Sequence, residues 1–105
     1  MEETSKKHRI PDDEEISDLA ELFKVFGDAT RLKILLSIYD GEKSVNEIAE
    51  EVGMSTSAVS HQLKILRTAK LAAARRDGKQ IFYSLADDHV HTIIGVGRDH
   101  VNEPD

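Results

Sequence analysis

Residues 44–66 carry the local signals of two short helices joined by a tight turn. Ser44 and Glu47 have the S-x-x-E spacing of a capping box, which marks the start of a helix. Gly53 closes that helix, and a second helix, which Ser55 can cap, has apolar residues at i, i+4 and i+7, namely Val59, Leu63 and Leu66. Two helices joined by a tight glycine turn are typical of a helix-turn-helix, so the pattern predicts this motif.

Two further helices are predicted before the motif. An acidic start at Asp12 and Asp13 precedes apolar residues at helical spacing, and Gly27 stops this first helix. Asp28 can cap the next helix, which we expect to continue as far as Gly41.

A hairpin and a closing helix are predicted after the motif. Residues 71–76 and 80–85 flank Asp77-Gly78-Lys79, and a DG turn between two candidate strands is a strong hairpin signal. A final helix is expected from about residue 87 to about residue 101. The order α-α-α-α-β-β-α predicts an α+β, mostly α, winged helix-turn-helix fold.

The chain length and composition limit the class of protein. The 105 residues suffice for one domain, which we place at 12–105 behind a loose arm at 1–11, and a domain this small often gains core by dimerisation. No apolar run approaches the ~20 residues of a membrane span, the first residues lack a secretory signal, and cysteine is absent. We therefore expect a cytoplasmic protein without membrane partners. No nucleophile–base pair or phosphate loop is evident, so we expect neither an enzyme nor a small-molecule substrate.

The charge is distributed unevenly along the chain. The net charge is −6, yet residues 61–80 contain six Lys and Arg against one Asp, whereas residues 87–105 contain one Arg against five acids. The basic segment favours DNA binding, because the second helix of the motif enters the major groove and basic side chains reach phosphates. The candidate DNA-binding residues are Ser55, Thr56, Ser57, Ser60, His61, Gln62, Lys64, Arg67, Arg75, Arg76 and Lys79.

Three stretches resemble the ArsR/SmtB family of metalloregulators. Residues 25–35 are similar to the family's "ALGDxTRLxIL" opening, residues 57–66 to its recognition helix, and residues 78–85 to its wing. The resemblance covers about residues 16–103 and implies a winged-helix homodimer that represses transcription on double-stranded operator DNA, and that metal usually releases.

The last predicted helix carries four metal-ligand side chains, Asp87, His89, His100 and Glu103. Eleven residues make about three turns plus about 20°, so His89 and His100 share one face, and Glu103 lies within about 40° of His89 on the same count. His89 and His100 are about 16 Å apart along the helix, whereas the ligands of one zinc lie within about 4 Å of each other. One chain cannot close such a site. Two antiparallel copies can, and two-fold symmetry then gives two sites per dimer.

The same four positions match the last-helix zinc motif of the ArsR/SmtB sensors. Zinc is the expected metal, with cobalt as a laboratory substitute. Nickel stays open, because related nickel sensors recruit extra ligands and this chain has His8 and His91. In the family, the histidine that matches His100 links to a carbonyl at the end of the recognition helix, here around Lys70. A DNA-binding regulator without a metal function, and metal storage without DNA binding, are the alternatives.

Overall fold

The computed structural model describes residues 9–104 and confirms the predicted winged helix-turn-helix. The helices are α1 (Asp13–Phe26), α2 (Ala29–Ser37), α3 (Val45–Val52), α4 (Thr56–Thr68) and α5 (Asp88–Val101), and the strands are β1 (Lys43–Ser44), β2 (Ala72–Asp77) and β3 (Gln80–Leu85). Of the predicted N-terminal arm, residues 1–8 lie outside the described residues. None of the helices within residues 9–104 has the length and apolar character that a membrane crossing requires.

Side-chain caps fix most of the helix starts at the predicted residues. Ser44 and Glu47 form both halves of the capping box at α3, because the Ser44 hydroxyl accepts from the Glu47 N–H and the Glu47 carboxylate accepts from the Ser44 N–H. Asp28 caps α2, and Ser55 caps α4. Each cap satisfies an N–H that has no partner inside the helix, so these short helices begin at defined residues.

The helices pack around one core whose largest fully buried side chains come from α2, α3 and α4 and from Ile38, which follows α2. Ile34 and Leu35 of α2 meet Ile48 of α3, and α4 contributes Val59, Leu63 and Leu66. This packing places α3 and α4 against α2 and leaves the opposite face of α4 in solvent.

Three details differ from the sequence-based expectation, and the first two concern the end of α2 and the sheet. The second helix ends at Ser37 and not near Gly41, because Ile38 leaves the helical conformation, with φ of −105° and ψ of 13°, and the next N–H, that of Tyr39, bonds to the carbonyl of Leu36. The residues that follow extend into the short strand β1, which the sequence did not predict. Strand β1 pairs antiparallel with β3, with Ser44 opposite Phe82, so the sheet order is β1-β3-β2.

The hairpin between β2 and β3 has a two-residue loop, Gly78 and Lys79. Asp77 belongs to β2 and pairs with Gln80, so the expected Asp-Gly turn is corrected to a Gly-Lys turn. Gly78 has φ of 64°, the left-handed conformation that the first loop residue of a type II′ hairpin turn needs. The wing therefore projects as a regular hairpin beside α4.

Candidate nucleic-acid interface and metal centre

One face of α4 gathers most of the predicted DNA-reading side chains. At about 100° per residue, Ser57, Ser60, His61, Lys64 and Arg67 fall within an arc of about 120°, and all five are exposed. The buried residues of α4 face the other way. Ser55 and Thr56 are also exposed at the start of the helix, but the Ser55 hydroxyl accepts from the Ala58 N–H at 3.1 Å and so serves as a cap.

Gln62 lies apart from this group. It is half-buried, about 160° around the helix from the centre of the exposed arc, and it faces α2. There the Arg31 Nε donates to the Gln62 side-chain oxygen at 3.1 Å. Arg31 was not predicted from the sequence, because nothing in the local pattern links two residues so far apart.

The three predicted basic residues of the wing have different surroundings. Arg75 forms a two-pronged ion pair with Glu42, with 3.2 Å from its Nε to Oε2, and its guanidinium lies 5.2 Å from the centre of the Phe82 ring. The hydrogen bond between them lowers the pKa of the Glu42 carboxyl and raises the pKa of Arg75. Arg76 and Lys79 are exposed and make no ion pair with any residue between 9 and 104. These two cations are therefore better placed than Arg75 to meet a phosphate.

A polar groove connects the reading helix to the wing. It has a volume of about 340 Å³, and its lining includes Asn46 from the start of α3, Ser60 from α4, and Lys79 and Gln80 from the wing. Asn46 and Gln80 are polar residues of this groove that were not predicted from the sequence. The groove makes the exposed face of α4 and the wing tip parts of one continuous surface.

The predicted metal ligands form two pairs at opposite ends of α5. His89 Nδ1 lies 3.7 Å from Asp87 Oδ1, and His100 Nδ1 lies 4.0 Å from Glu103 Oε1. Both histidine side chains are almost fully exposed, at 93% and 84%. Asp87 is also the cap of α5, because its Oδ1 accepts from the Val90 N–H at 3.1 Å, which leaves Oδ2 for another partner.

Neither pair is a complete metal site within one chain. Among residues 9–104, no three His, Cys, Asp or Glu side chains come together as a metal cluster. A tetrahedral site needs four ligands, or three and a water, so each pair supplies half of the ligand set. The donors fit zinc in chemistry and number only if pairs from two chains meet.

His91, the further candidate ligand, has a different environment from His89. Its ring stacks on Tyr39 with centroids 3.9 Å apart and an angle of 19° between the planes. Two residues along a helix are about 200° apart, so His91 points away from the side that carries His89. The other candidate, His8, lies outside the described residues.

An apolar surface of α1 and α5 lies between the two ligand pairs. Exposed apolar side chains along it include Leu19 and Phe23 of α1 and Ile93, Val96 and Val101 of α5. A cavity of about 430 Å³ bordered by α1, α2 and α5 is lined mostly by apolar residues, with Arg98 and Asn102 at its polar side. A contiguous exposed apolar patch of this kind marks a protein interaction surface.

The C-terminal end of α4 has an unusual residue. Lys70 has φ of 64°, and the N–H groups of Lys70 and Leu71 bond to the carbonyls of Arg67 and Leu66. This is the Schellman arrangement, in which the left-handed position is usually glycine. The motif ends α4 near the carbonyl group to which the family resemblance predicts that His100 links.

Comparison with known proteins places these features in context. Residues 28–73 match the model of the bacterial regulatory protein arsR family. The HTH-type transcriptional regulator KmtR of Mycobacterium tuberculosis is 45% identical over 85 residues, which cover 81% of this chain and 65% of KmtR, just under two thirds of that relative. The transcriptional repressor SmtB homolog of Synechocystis is 38% identical over 92 residues, which cover 88% of this chain and 70% of the homolog.

A solved structure resembles the whole described fold. It is the solution structure of the homodimeric winged helix-turn-helix DNA-binding domain Mb0332 from Mycobacterium bovis, described as a possible ArsR-family transcriptional regulator. It is 26% identical with a TM-score of 0.77, and the match covers 92% of this chain and 96% of that one.

Proposed function

Because the chain belongs to the ArsR family of bacterial regulatory proteins, we propose that it is a metal-responsive transcriptional repressor. As an apo homodimer it binds operator DNA, and zinc at an intersubunit site on α5 releases it. The observation that carries this proposal is the pairing of ligands at the two ends of α5, Asp87 with His89 and His100 with Glu103.

The DNA-binding half of the proposal rests on the surface formed by α4 and the wing. Small hydroxyl side chains and His61 near the start of α4 can approach base edges, while Lys64 and Arg67 follow along the same exposed face. Arg76 and Lys79 of the wing extend this basic surface to a neighbouring stretch of DNA backbone. The net negative charge of the chain is no obstacle, since its acidic residues concentrate in other segments.

The occupant we propose for the apolar surface of α1 and α5 is a second copy of this chain. The metal-ligand pairs border this surface, and neither pair is complete alone. One antiparallel contact between two α5 helices would both cover the apolar surface and complete the ligand pairs. The similar domain from Mycobacterium bovis is homodimeric. Covering Leu19, Phe23 and Val96, which are 48%, 56% and 61% exposed, would add apolar burial that one small chain lacks.

Asp87 and His89 of one subunit would hold the metal together with His100 and Glu103 of the other. Two imidazoles and two carboxylates suit zinc, with cobalt as a substitute, whereas by the family resemblance nickel sensors recruit extra ligands. Bound zinc would supply a rigid link between the subunits. By the family resemblance, the second ring nitrogen of metal-bound His100 would donate to a carbonyl near Lys70 and so connect α5 to the end of α4.

A mixture of two variants tests the intersubunit site directly. The first variant carries Asp87→Ala and His89→Ala, and the second carries His100→Ala and Glu103→Ala. Each homodimer lacks half of every site, but the mixed dimer retains one complete site, made of the intact pairs from the two chains. Cobalt absorption is the readout, because tetrahedral cobalt has a strong visible spectrum.

We expect neither variant alone to bind cobalt tightly and the mixture to recover about one site per mixed dimer. If mass measurements show that mixed dimers form and the mixture still binds no cobalt, the intersubunit site is contradicted. His91→Ala serves as the matched control, since this histidine stacks on Tyr39 and should leave binding unchanged.

A further inference from the structure

A polar contact joins α2 to α4 on the side away from the exposed reading face. Arg31, in the first turn of α2, donates from Nε to the side-chain oxygen of Gln62 at 3.1 Å, and both residues are half-buried. A guanidinium can only donate, so the amide oxygen of Gln62 must face Arg31. The Gln62 side chain is therefore used inside the protein.

The Arg31 end of this contact is itself held in place. The Arg31 backbone N–H donates to the Asp28 carboxylate at 3.0 Å, in the cap that begins α2. The guanidinium thus extends from a fixed turn, and the loss of side-chain entropy on forming the bond to Gln62 is reduced. Because its donor is held in place, this hydrogen bond limits the rotation of α4, the helix that carries the acceptor Gln62.

The apolar core alone leaves the rotation of α4 about its axis less well defined. Val59, Leu63 and Leu66 of α4 are fully buried, but hydrophobic contact is not directional, and it tolerates small rotations of a helix about its axis. The hydrogen bond with Arg31 has a direction and a narrow range of distance. It can therefore set how far α4 is turned, and with it which side chains face the DNA.

We propose that Arg31 and Gln62 are a pair of positioning residues for DNA recognition, which set the rotation of α4 without touching DNA. This inference rests on the proposed DNA-binding function. It assigns Gln62 a role other than the base reading that its place in the recognition helix predicts. It also gives α2 a part in recognition.

The position of α2 extends the inference to the regulation of the protein. Leu32, the residue after Arg31, lines the apolar cavity together with Leu36 and with Ile93 of α5. The first turn of α2 thus borders the apolar cavity on one side and contacts α4 on the other. A movement of α5 against α2 would reach the recognition helix through Arg31 and Gln62.

The test uses Arg31→Met, Gln62→Met and the double variant of the full chain, with Lys33→Met as the matched control. Lys33 is an exposed cation on the same helix. Operator and unrelated duplexes are titrated by fluorescence anisotropy at several salt concentrations. Thermal unfolding at one protein concentration shows that the variants remain folded.

Each single variant should weaken operator binding by about tenfold, or about 1.4 kcal/mol, the scale of a hydrogen bond to a charged group. Binding to unrelated DNA and the salt dependence should not change, and the double variant should be no weaker than either single one. Gln62→Glu, which keeps an acceptor for Arg31, should stay within about threefold of wild type.

Three results would overturn the inference. They are additive losses in the double variant, a salt slope reduced by about 0.9 in Arg31→Met, which indicates a lost phosphate contact, or Gln62→Glu as weak as Gln62→Met. Failure of the wild-type protein to bind its operator would instead refute the proposed function. The two failures are therefore distinguishable.

Discussion

Replacing Lys70 by glycine should stabilise the protein. Lys70 has φ of 64° at the end of α4, where Leu71 N–H bonds to Leu66 O and the helix closes in a Schellman motif. A side chain with a Cβ costs roughly 1–2 kcal/mol in this left-handed conformation. Leu66 and Leu71 are both buried, so the turn cannot relax to a more favourable angle without losing core contacts.

The expected gain is the difference between two opposing effects. Glycine removes the left-handed strain, but its unfolded chain has more conformational entropy, which costs about 0.5–1 kcal/mol. The net stabilisation over wild type is therefore about 0.5–1 kcal/mol. Lys70→Ala is the matched control, because it also removes the charge and the long side chain but keeps the Cβ.

Urea unfolding followed by circular dichroism, at one protein concentration and fixed salt, measures the difference. A fixed concentration is necessary, since the stability of the proposed dimer would depend on it. Lys70→Gly should exceed Lys70→Ala by about 0.5–1 kcal/mol in the free energy of unfolding. Equal stability of the two variants would refute the argument that backbone strain resides at this residue.

Three further perturbations address the core, the wing and the DNA-binding surface. Leu63→Ala should lower the free energy of unfolding by about 3 kcal/mol, because Leu63 is 1% exposed. The control Lys64→Ala should change the free energy of unfolding by less than about 0.5 kcal/mol. Equal effects of the two variants in urea unfolding would contradict the described core. Arg75 lowers the pKa of Glu42, so this pair should stabilise the fold above pH 4.5 and lose its effect as the pH falls through the lowered pKa. Glu42→Gln should therefore lose less stability on acidification than wild type. An unchanged dependence of the free energy of unfolding on pH would argue against the pair. Lys79→Ala should reduce the salt slope of DNA binding by about 0.9, whereas Arg75→Ala should reduce it less, and the reverse order in anisotropy titrations would contradict the assignment of these two residues.

The fold was predictable where the determining contacts are local. Caps at Asp28, Ser44 and Ser55 act within three residues, and all three lie where the sequence placed them. The end of α2 was not predictable in this way. The chain beyond Ser37 leads into β1, and β1 exists because Ser44 pairs with Phe82, a residue far along the chain.

The candidate site shows the same division between local and distant contacts. The two ligand pairs follow from spacings of two and three residues at the ends of one helix, and the structure places both pairs within 4.0 Å. The partners of Gln62 and Arg75 follow from tertiary packing, and residue type alone suggested DNA contacts for both. Helical periodicity did contain a signal for Gln62, since it stands three residues from the buried Val59.

Fluorescence anisotropy of the wild-type protein on its own promoter fragment, with and without one zinc per subunit, tests whether zinc controls DNA binding. Salt and protein concentration are held fixed, because both change DNA affinity. We predict tight binding without metal and at least about tenfold weaker binding with zinc, a coupling of about 1.4 kcal/mol. Tight binding that zinc leaves unchanged would contradict the metal switch assigned to Asp87, His89, His100 and Glu103.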